Sequence, residues 1–439
     1  MEPRPYQSAA VQAILAYAAQ RPSGRALVVV PCRGGKTFVA AEIVRRLAFD
    51  KKRHGLWLAD REELLDIAAE HLVAVGVPRQ QIGFIKAGRM PNLRASLQIA
   101  SDASLERGDL PPAAIVVTDE AHRDTAARRN RIRAAYPDAF QLGITGTPMP
   151  PPGRDLSEHY DVMHVCVQPS ELIHDGYLAA PAFYAPEQAK LPSLRGVRIV
   201  GGDYDTGELA RVFASADLLD RHVAEWARLS EGRSTIAFPV TIGHSRALVA
   251  RCDAAGIDAR HLDGDTLPAA RRNVLAGLAA GRIRVVCSPG VLSEGVSIDR
   301  VKCVLGCRPT RSFVLFVQQS MRCATPWKNA RPRVLDVAGN VYRHGFPHAD
   351  REWKMVRTPR RSLPGTAVVK RCGCGAVMPG NARACSECRR AFPAIEPPAP
   401  LAPEIALRPV SPRGRKLAAE RERLVAYAGG TGAQDPEAW

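Results

Sequence analysis

The sequence predicts two α/β domains built on parallel sheets, followed by a small cysteine-rich module. Short β-branched runs alternate with helix-like segments up to about residue 341, the pattern of a parallel sheet covered by helices on both faces. A proline-rich break from Pro148 divides this region in two. Four cysteines then fall close together near the C-terminus. The expected ranges are 1–165 and 206–350 for the α/β domains, 166–205 for the linker region, 351–392 for the basic cysteine-rich module and 393–439 for a Pro-rich, partly disordered tail.

The predicted strands are short apolar runs of the kind found in buried parallel sheets. They are residues 26–30, 56–59, 115–118, 235–238, 284–287 and 302–305. The predicted helices between them are residues 38–49, 62–75, 218–229 and 245–255.

The net charge points to a polyanionic partner. Among 439 residues the chain has 61 Lys and Arg against 44 Asp and Glu, a formal charge of +17. Such an excess favours nucleic acid, and a basic surface without a partner is the alternative. No apolar run approaches the roughly 18 residues that cross a bilayer, and the N-terminus does not resemble a signal peptide. We therefore expect a soluble, cytoplasmic protein.

The segment after the first predicted strand has the pattern of a phosphate-binding loop. It reads Pro31-Cys32-Arg33-Gly34-Gly35-Lys36-Thr37 and leads into a predicted helix. Backbone N–H groups and a helix N-terminus favour an anion there. Lys36 is expected to neutralise the β- and γ-phosphates and Thr37 to bind Mg²⁺. Val30 stands where the full pattern has its first glycine, so a surface turn is the alternative interpretation.

Two adjacent carboxylates end the third predicted strand. Asp119 and Glu120 lie where ligands bind in open α/β sheets. We expect Asp119 to hold Mg²⁺ through its water shell and Glu120 to activate the attacking water. Helix capping is the alternative role for such carboxylates. His122 either couples this site to the next domain or caps the turn.

These motifs together resemble a superfamily 2 helicase of the DEAH type, and most of all the RadD-type group of bacterial and phage helicase-like ATPases. The phosphate loop and the run Thr118-Asp119-Glu120-Ala121-His122-Arg123 carry the resemblance. Further segments match the family in the expected order over almost the whole chain: 4–7, 58–64, 98–101, 143–148, Phe238, His244, 261–264, 290–295, 308–310 and 336–340.

The resemblance implies two RecA-like domains with ATP and Mg²⁺ in the cleft between them and nucleic acid, DNA more than RNA, across the opposite face. The implied ATP site comprises Arg4, Gln7, Pro31, Cys32, Arg33, Gly34, Gly35, Lys36 and Thr37. The residues implied to couple hydrolysis to domain movement are His122, Thr145, Thr147 and Gly295. Those implied to contact nucleic acid are Arg61, Ser101, His244 and Gly264. The expected setting is a bacterial or phage-infected cell.

Four positions in three motifs depart from the family's pattern. In the sixth motif, residues 318–325, Met321 replaces a glycine and Thr325 replaces the arginine that reaches the γ-phosphate. In the fifth motif, Ser297 replaces an acidic residue. In the phosphate loop, Arg33 replaces a glycine. An arginine finger is worth about 10³–10⁵ in rate. Three interpretations follow: another arginine (Arg322, Arg331 or Arg333) takes over, the enzyme is slow until nucleic acid binds, or nucleotide binds without turnover. Arg322 is our first candidate for a catalytic role.

Four cysteines predict a structural metal site. Cys372, Cys374, Cys385 and Cys388 form two tight pairs, the pattern of a tetrahedral Zn²⁺ site. A closed four-cysteine site stabilises a fold rather than catalysing a reaction. Four buried thiols without metal are the alternative. Arginines around the pairs favour phosphate contact, and a solvated basic face is the alternative.

The leading hypothesis is therefore a nucleic-acid-dependent ATPase, a DNA helicase or translocase of DNA repair, replication or phage DNA metabolism. The second is a nucleotide-gated nucleic-acid clamp with little turnover, because Thr325 replaces the finger arginine. A third, the motor subunit of a restriction-like or phage-defence system, requires a partner chain. A protein partner would bind the zinc ribbon or the Pro-rich tail.

Overall fold

The computed structural model describes residues 2–59, 62–86, 92, 94–105, 110–123, 127–150, 154–213, 215–293, 298–328, 330–355 and 369–392. The helices and strands of the described residues all lie in one compact unit, Met1–Ala391. A second unit, Phe392–Trp439, contributes only its first residue to the described chain. The predicted tail, residues 393–439, therefore lies outside the described residues.

The first domain is a seven-stranded sheet in which every neighbouring pair is parallel. Its strands are β1 (Arg25–Val29), β2 (Gly55–Ala59), β3 (Ile82–Ile85), β4 (Leu97–Ser101), β5 (Ile115–Asp119), β6 (Phe140–Thr145) and β7 (Val162–Val165). Their order across the sheet is β3-β4-β2-β5-β6-β1-β7. Because all run the same way, the ends of β1, β4, β5 and β6 share one edge, where open α/β sheets bind ligands.

The helices of the first domain are α1 (Pro5–Gln20), α2 (Lys36–Val44), α3 (Glu62–Ala74), α4 (Asp102–Leu105) and α5 (Ala127–Ala134). A π-helical turn, Arg45–Phe49, continues α2. Residues from α1, α2 and α3 form one core cluster with the sheet. A separate cluster on the other strand faces includes Ile132 of α5. The sheet is therefore covered on both faces, as the uninterrupted apolar strands require.

The second domain is an eight-stranded sheet with six parallel strands and two antiparallel additions. The strands are β8 (Ala182–Tyr184), β11 (Ser234–Phe238), β12 (Ala259–His261), β13 (Val285–Cys287), β14 (Val301–Gly306), β15 (Arg333–Leu335), β16 (Val369–Arg371) and β17 (Ala376–Pro379). Their order is β12-β13-β11-β14-β15-β8-β17-β16. The pairs β8–β17 and β16–β17 are antiparallel, so the cysteine-rich segment extends the sheet of this domain.

The remaining elements surround this second sheet. A two-stranded hairpin is formed by β9 (Ile199–Val200) and β10 (Asp203–Tyr204). The helices are α6 (Pro169–His174), α7 (Thr206–Phe213), α8 (Ala216–Leu229), α9 (Ile242–Ala254), α10 (Pro268–Ala280), α11 (Phe313–Ser320) and α12 (Asn340–His344). Among the described residues, no helix combines the length and apolarity that crossing a membrane would require.

The predicted fold class is confirmed. All six predicted strands are present within one residue of the expected bounds, and the four predicted helices within a few residues. The sheet of the second domain differs from the prediction in one respect, since it is mixed rather than wholly parallel. Residues 166–205, predicted as a linker region, contain β8, which pairs with both β15 and β17. That pairing connects the second domain to the cysteine-rich segment.

Candidate nucleotide site and cysteine cluster

The loop between β1 and α2 is held by the first helix. Gly35 caps α2 in the left-handed region, with φ of 81°, a conformation that favours glycine. A Cβ at Gly35 would lie 2.5 Å from Nε2 of Gln7. The Gln7 amide donates to the Gly34 carbonyl at 3.1 Å, and the Tyr6 hydroxyl donates to the same carbonyl at 2.5 Å. Residues of α1 therefore fix the course of the phosphate loop.

Gln7 itself is 5% exposed. Its Oε1 accepts a hydrogen bond from the Arg4 N–H at 2.9 Å, so both ends of the amide contact backbone groups. The Arg4 guanidinium lies over the ring of Tyr177, 4.3 Å from its centroid. Arg4 and Gln7, two residues of the implied ATP site, thus lie in the helix that holds the phosphate loop or directly before it, and Tyr177 is a neighbour that the sequence motifs did not indicate.

Lys36, the first residue of α2, forms ion pairs with both carboxylates at the end of β5. Its Nζ lies 3.2 Å from Oδ1 of Asp119 and donates a hydrogen bond to Oε1 of Glu120. The sheet edge explains this meeting, because parallel β1 and β5 end on the same side. Thr37 follows in the first turn of α2 and is partly buried. The structure thus brings the predicted phosphate ligand beside the predicted Mg²⁺ ligand and general base.

The carboxylate of Glu120 is held in its charged form. Burial opposes the charge, but Lys36 and His122 outweigh burial and lower the pKa of Glu120 to about 2. Burial likewise opposes the charge of Lys36, yet the two carboxylates hold its pKa above the ordinary value. At neutral pH Glu120 is therefore ionised, the state in which a general base accepts a proton.

A chain of hydrogen bonds leads from Glu120 to the end of β6. Nδ1 of His122 lies 3.3 Å from Oε2 of Glu120 and 3.0 Å from the Thr145 hydroxyl. That hydroxyl accepts from the Thr147 N–H at 3.1 Å and donates to the Thr147 carbonyl at 3.2 Å. Burial lowers the pKa of His122 to about 4, so its ring is neutral at pH 7. Three of the predicted coupling residues thus form one connected path, while the fourth, Gly295, lies outside the described residues.

Arg129 of α5 supports the acidic pair from behind, a contact that the motifs did not indicate. Its Nη1 donates to the Asp119 carbonyl at 2.9 Å, and its Nε donates to Asp102 Oδ2 at 2.6 Å. Arg129 is 2% exposed and Asp102 6%. A buried arginine needs an anionic partner, and Asp102 meets that need at the start of α4.

The turn after α11 brings the second domain to the phosphate loop. Arg33 Nη2 donates to the backbone carbonyl of Arg322 at 2.7 Å. The Arg322 guanidinium donates two hydrogen bonds to the Ser293 carbonyl, the one from Nε at 3.0 Å. At the end of the turn, the Thr325 carbonyl accepts a hydrogen bond from the ammonium of Lys302, which is 2% exposed. The altered sixth motif therefore lies at the same cleft as the phosphate loop.

The Cys32 thiol of the phosphate loop is influenced by charged groups from both domains. Burial raises the pKa of the Cys32 thiol, and the Glu120 carboxylate raises it further. Lys36, Arg322 and Arg33 lower it. Charged groups of the phosphate loop, the acidic pair and the Arg322 turn therefore all act on one residue of the phosphate loop.

The two alternative finger candidates are engaged elsewhere. Arg331 forms an ion pair with Glu387 of the cysteine-rich segment. Arg333 donates to the Leu229 carbonyl and to Glu231, each at 2.5 Å. The Arg333 contacts lie at the end of α8. The Arg331 contact lies at the cysteine-rich segment. Of the three arginines considered, Arg322 is the one that the structure brings to the phosphate loop.

The predicted nucleic-acid residues are placed in different environments. Ser101 ends β4 and bonds the Ser104 hydroxyl at 2.8 Å. His244 is 1% exposed, and its Nδ1 accepts from the Val240 N–H at 3.3 Å. Gly264 is exposed, with nothing within 4 Å of a Cβ built on it. Arg61 lies outside the described residues.

The four cysteines of the C-terminal segment converge. Their Sγ atoms all lie within 4.8 Å of one another. Cys372 and Cys388 are 3.5 Å apart and Cys374 and Cys385 are 3.7 Å apart. A tetrahedral ion with Zn–S bonds of about 2.3 Å sets its sulfurs about 3.8 Å apart. The cluster has the ligand set and the size that Zn²⁺ requires.

The cluster is joined to the second domain through its surroundings. Glu387, between two of the cysteines, accepts from the Tyr184 hydroxyl at 2.8 Å and pairs with Arg331. Arg371 Nε donates to the Ala185 carbonyl at 2.7 Å. Since Tyr184 and Ala185 lie at β8, the module packs on the edge of the second sheet.

Comparison with known families gives two matches at the positions of the two domains. The family model described as the res subunit of type III restriction enzymes matches residues 1–149. The model for the helicase conserved C-terminal domain matches residues 216–325. The phosphate loop and the acidic pair fall in the first match and the altered sixth motif in the second.

Individual proteins similar to this chain agree with these matches. A 51.5 kDa protein of a Lactococcus phage is 28% identical over 372 residues, covering 83% of this chain and 78% of that protein. The putative ATP-dependent helicase IRC3 of Saccharomyces cerevisiae is 23% identical over 353 residues, covering 72% of this chain and 48% of that protein. A fragment of a putative HsdR subunit of a type I restriction enzyme from Vibrio vulnificus superimposes with a TM-score of 0.61 at 18% identity, over 79% of this chain and 67% of that one.

Proposed function

We propose that this chain, which matches the restriction-enzyme res-subunit model and the helicase C-terminal model, is a DNA-dependent ATPase of the superfamily 2 helicase class that translocates along DNA or separates its strands. One observation carries the proposal: Lys36 pairs with Asp119 and Glu120 at a sheet edge that faces the Arg322 turn of the second domain. A cleft of this kind couples nucleotide chemistry to the relative movement of two domains.

The proposed roles follow from the contacts. Lys36 and the N-terminus of α2 bind the β- and γ-phosphates, with Thr37 and Asp119 holding Mg²⁺, which neutralises phosphate charge when bound. Glu120 accepts the proton of the attacking water as the oxygen bonds the γ-phosphorus and the bond to ADP breaks. When the phosphates of ATP replace the carboxylates as partners of Lys36, the path from Glu120 through His122 to Thr147 is free to shift.

DNA is the proposed polyanion for two reasons. The chain has a net charge of +17, which favours a phosphate backbone. The family of the first domain and the HsdR fragment are both named for restriction enzymes, whose substrate is DNA. We propose that Arg61, Ser101 and Gly264 contribute to this contact, and that His244, being buried, shapes the surface from beneath.

We further propose that the four cysteines bind one structural Zn²⁺. The Sγ separations support this, because they match a tetrahedral sulfur site. The ion would fix β16 and β17 against β8, and the arginines around it would face the phosphate backbone.

A nucleotide-gated clamp with little turnover is the second candidate, favoured by the uncharged Thr325 at the end of the Arg322 turn. Turnover separates the two candidates. ATP hydrolysis by the full chain is measured without nucleic acid and with single-stranded DNA, double-stranded DNA or single-stranded RNA. The proposed ATPase requires at least about a tenfold stimulation by one form of DNA. ATP-dependent DNA binding without stimulated hydrolysis would identify a clamp, and stimulation by RNA alone would reject the DNA assignment.

A further inference from the structure

Arg33 occupies a backbone conformation that an arginine adopts only with strain. Its φ is 71°, in the region where Cβ crowds the backbone and where glycine is the favoured residue. The family's phosphate loop has a glycine there, and the geometry explains why. Strained residues of this kind concentrate at functional sites. An arginine kept at a glycine position therefore calls for a functional reason.

The Arg33 side chain reaches the second domain. Its guanidinium donates to the Arg322 carbonyl at 2.7 Å, inside the motif whose last position, Thr325, is uncharged. The substituted residue of the phosphate loop thus contacts the sixth motif three positions before the substituted Thr325. The phosphate loop has gained an arginine, and the sixth motif that it contacts has lost one.

The surroundings of Arg33 favour an added anion. Arg33 and Lys36 belong to the phosphate loop, and the Arg33 guanidinium contacts the backbone of Arg322. All three cations lower the pKa of the Cys32 thiol. Lys302 lies near them, bonded to the Thr325 carbonyl; burial lowers its pKa to about 8, and Arg33 contributes to that shift. Asp299 is the carboxylate that acts on both Arg33 and Lys302. Cations of both domains therefore act on the phosphate loop, and an anionic phosphate group would be attracted there.

We propose that Arg33 is the arginine finger of this enzyme, supplied in cis by the phosphate loop, and that it replaces the charge missing at Thr325. When ATP binds, the guanidinium exchanges the Arg322 carbonyl for the γ-phosphate oxygens. It then neutralises the negative charge that develops as the bond to ADP breaks and Glu120 takes the proton of the attacking water. The inference rests on the proposed function, because it assigns a role in the same hydrolytic site.

The test is a charge-relocation cycle with four proteins: wild type, Arg33→Gly, Thr325→Arg and the double variant Arg33→Gly/Thr325→Arg. Arg33→Gly should lower DNA-stimulated turnover by about 10³-fold, with KM for ATP changed much less. Its melting temperature should equal or exceed that of wild type, because glycine suits the left-handed φ. The double variant should recover at least about a tenth of wild-type turnover, because the charge returns from the opposite side of the cleft.

A second readout does not require turnover. It is the ratio of the dissociation constants for ADP alone and for ADP with aluminium fluoride. Aluminium fluoride imitates the phosphoryl group in the transition state. Arg33→Gly should lower this ratio, the preference for ADP with aluminium fluoride over ADP alone, by about tenfold or more, because an arginine finger contacts only the transferring group. Arg33→Lys, which retains a charge, should keep part of it.

The outcomes separate the inference from the proposed function. Wild type without DNA-stimulated turnover would reject the proposed ATPase, and the aluminium fluoride ratio would still decide the role of Arg33. Wild-type turnover and an unchanged ratio in Arg33→Gly would overturn the inference alone. Loss of turnover that neither Thr325→Arg nor Arg33→Lys restores would also overturn it, because Arg33 would then only hold the loop.

Discussion

Arg129 donates a hydrogen bond from Nη1 to the backbone carbonyl of Asp119, at 2.9 Å. The same guanidinium binds the Asp102 carboxylate at 2.6 Å. Because both acids are buried, this arginine joins α4 and α5 to the end of β5 at the point where Asp119 and Glu120 leave the strand. The position of the acidic pair therefore depends on a helix outside the motif.

Arg129→Met should destabilise the protein and reduce ATP turnover together. Removing one partner of a buried ion pair costs about 3–5 kcal/mol, and Asp119 would lose its backbone anchor. Thermal unfolding and ATP turnover measure the two effects. The control is Arg128→Met, which changes an exposed residue of the same helix. Equal behaviour of the two variants would show that Arg129 does not position Asp119.

Glu120→Gln should bind ATP and DNA together but release them slowly. The amide keeps the shape of the side chain and cannot accept the proton of water, so we expect turnover to fall by about 10²–10⁴-fold. The variant also weakens the ion pair with Lys36, which should tighten rather than abolish ATP binding. Filter retention of labelled DNA in the presence of ATP measures the trapped state. Hydrolysis at the wild-type rate would show that Glu120 is not the general base.

One zinc ion per chain should be found in freshly purified protein prepared without chelators. Changing Cys385 and Cys388 to serine removes two of four thiolate ligands, so the variant should lose the ion and the local packing of β16 and β17. Elemental analysis measures the metal, and proteolysis near residue 380 measures the loss of structure. Cys166→Ser, outside the cluster, should retain the zinc. Wild-type protein without zinc would reject the site.

The protein should lose stability as the pH falls below about 6.5. Burial lowers the pKa of five histidines to about 3 or 4: His122, His222, His244, His344 and His348. Between those values and the unfolded value of about 6.5, the unfolded chain binds more protons, so acid favours unfolding. Asp336 acts in the opposite direction, because burial raises its pKa to about 6 and its neutral form stabilises the fold at lower pH.

Melting temperatures at pH 7.5 and pH 5.5 test this balance. We expect a lower melting temperature at pH 5.5 and a smaller drop in His222→Leu, which removes one buried titrating ring. The exposed His54→Leu should show the wild-type drop. A melting temperature that does not fall between the two pH values would contradict the pKa shifts of the buried histidines.

The sequence predicted the strands that carry the chemistry because their residues are uniformly apolar. Runs such as 26–30 and 115–118 are buried on both faces of a parallel sheet, and burial of this kind leaves a pattern that is readable without the structure. The short strands β8, β15 and β17 carry no such signal. Their places are set by pairing with residues far away in the chain, as when Phe183 lies between Val334 and Val377.

The motifs likewise indicated Lys36, Asp119 and Glu120, which the structure brings together, but not the residues that support them. Lys36 and Glu120 are separated by more than eighty positions, yet the sheet edge brings them together as predicted. Arg129 lies in a helix whose sequence is rich in arginine and looks solvent-exposed. Only the fold reveals that this one is buried against Asp102. The cross-domain contact of Arg33 also could not be foreseen, since it depends on how α11 returns the chain to the cleft.

ATP turnover in the presence of single-stranded DNA, compared between Lys36→Ala and the exposed-lysine control Lys51→Ala, tests the central claim most directly. The two variants remove the same charge from the chain, but only Lys36 pairs with Asp119 and Glu120. We predict that Lys36→Ala loses DNA-stimulated turnover by about 10²-fold or more at unchanged melting temperature, while Lys51→Ala matches wild type. DNA-stimulated turnover at the wild-type rate in Lys36→Ala would contradict the assignment of this cleft as the nucleotide site.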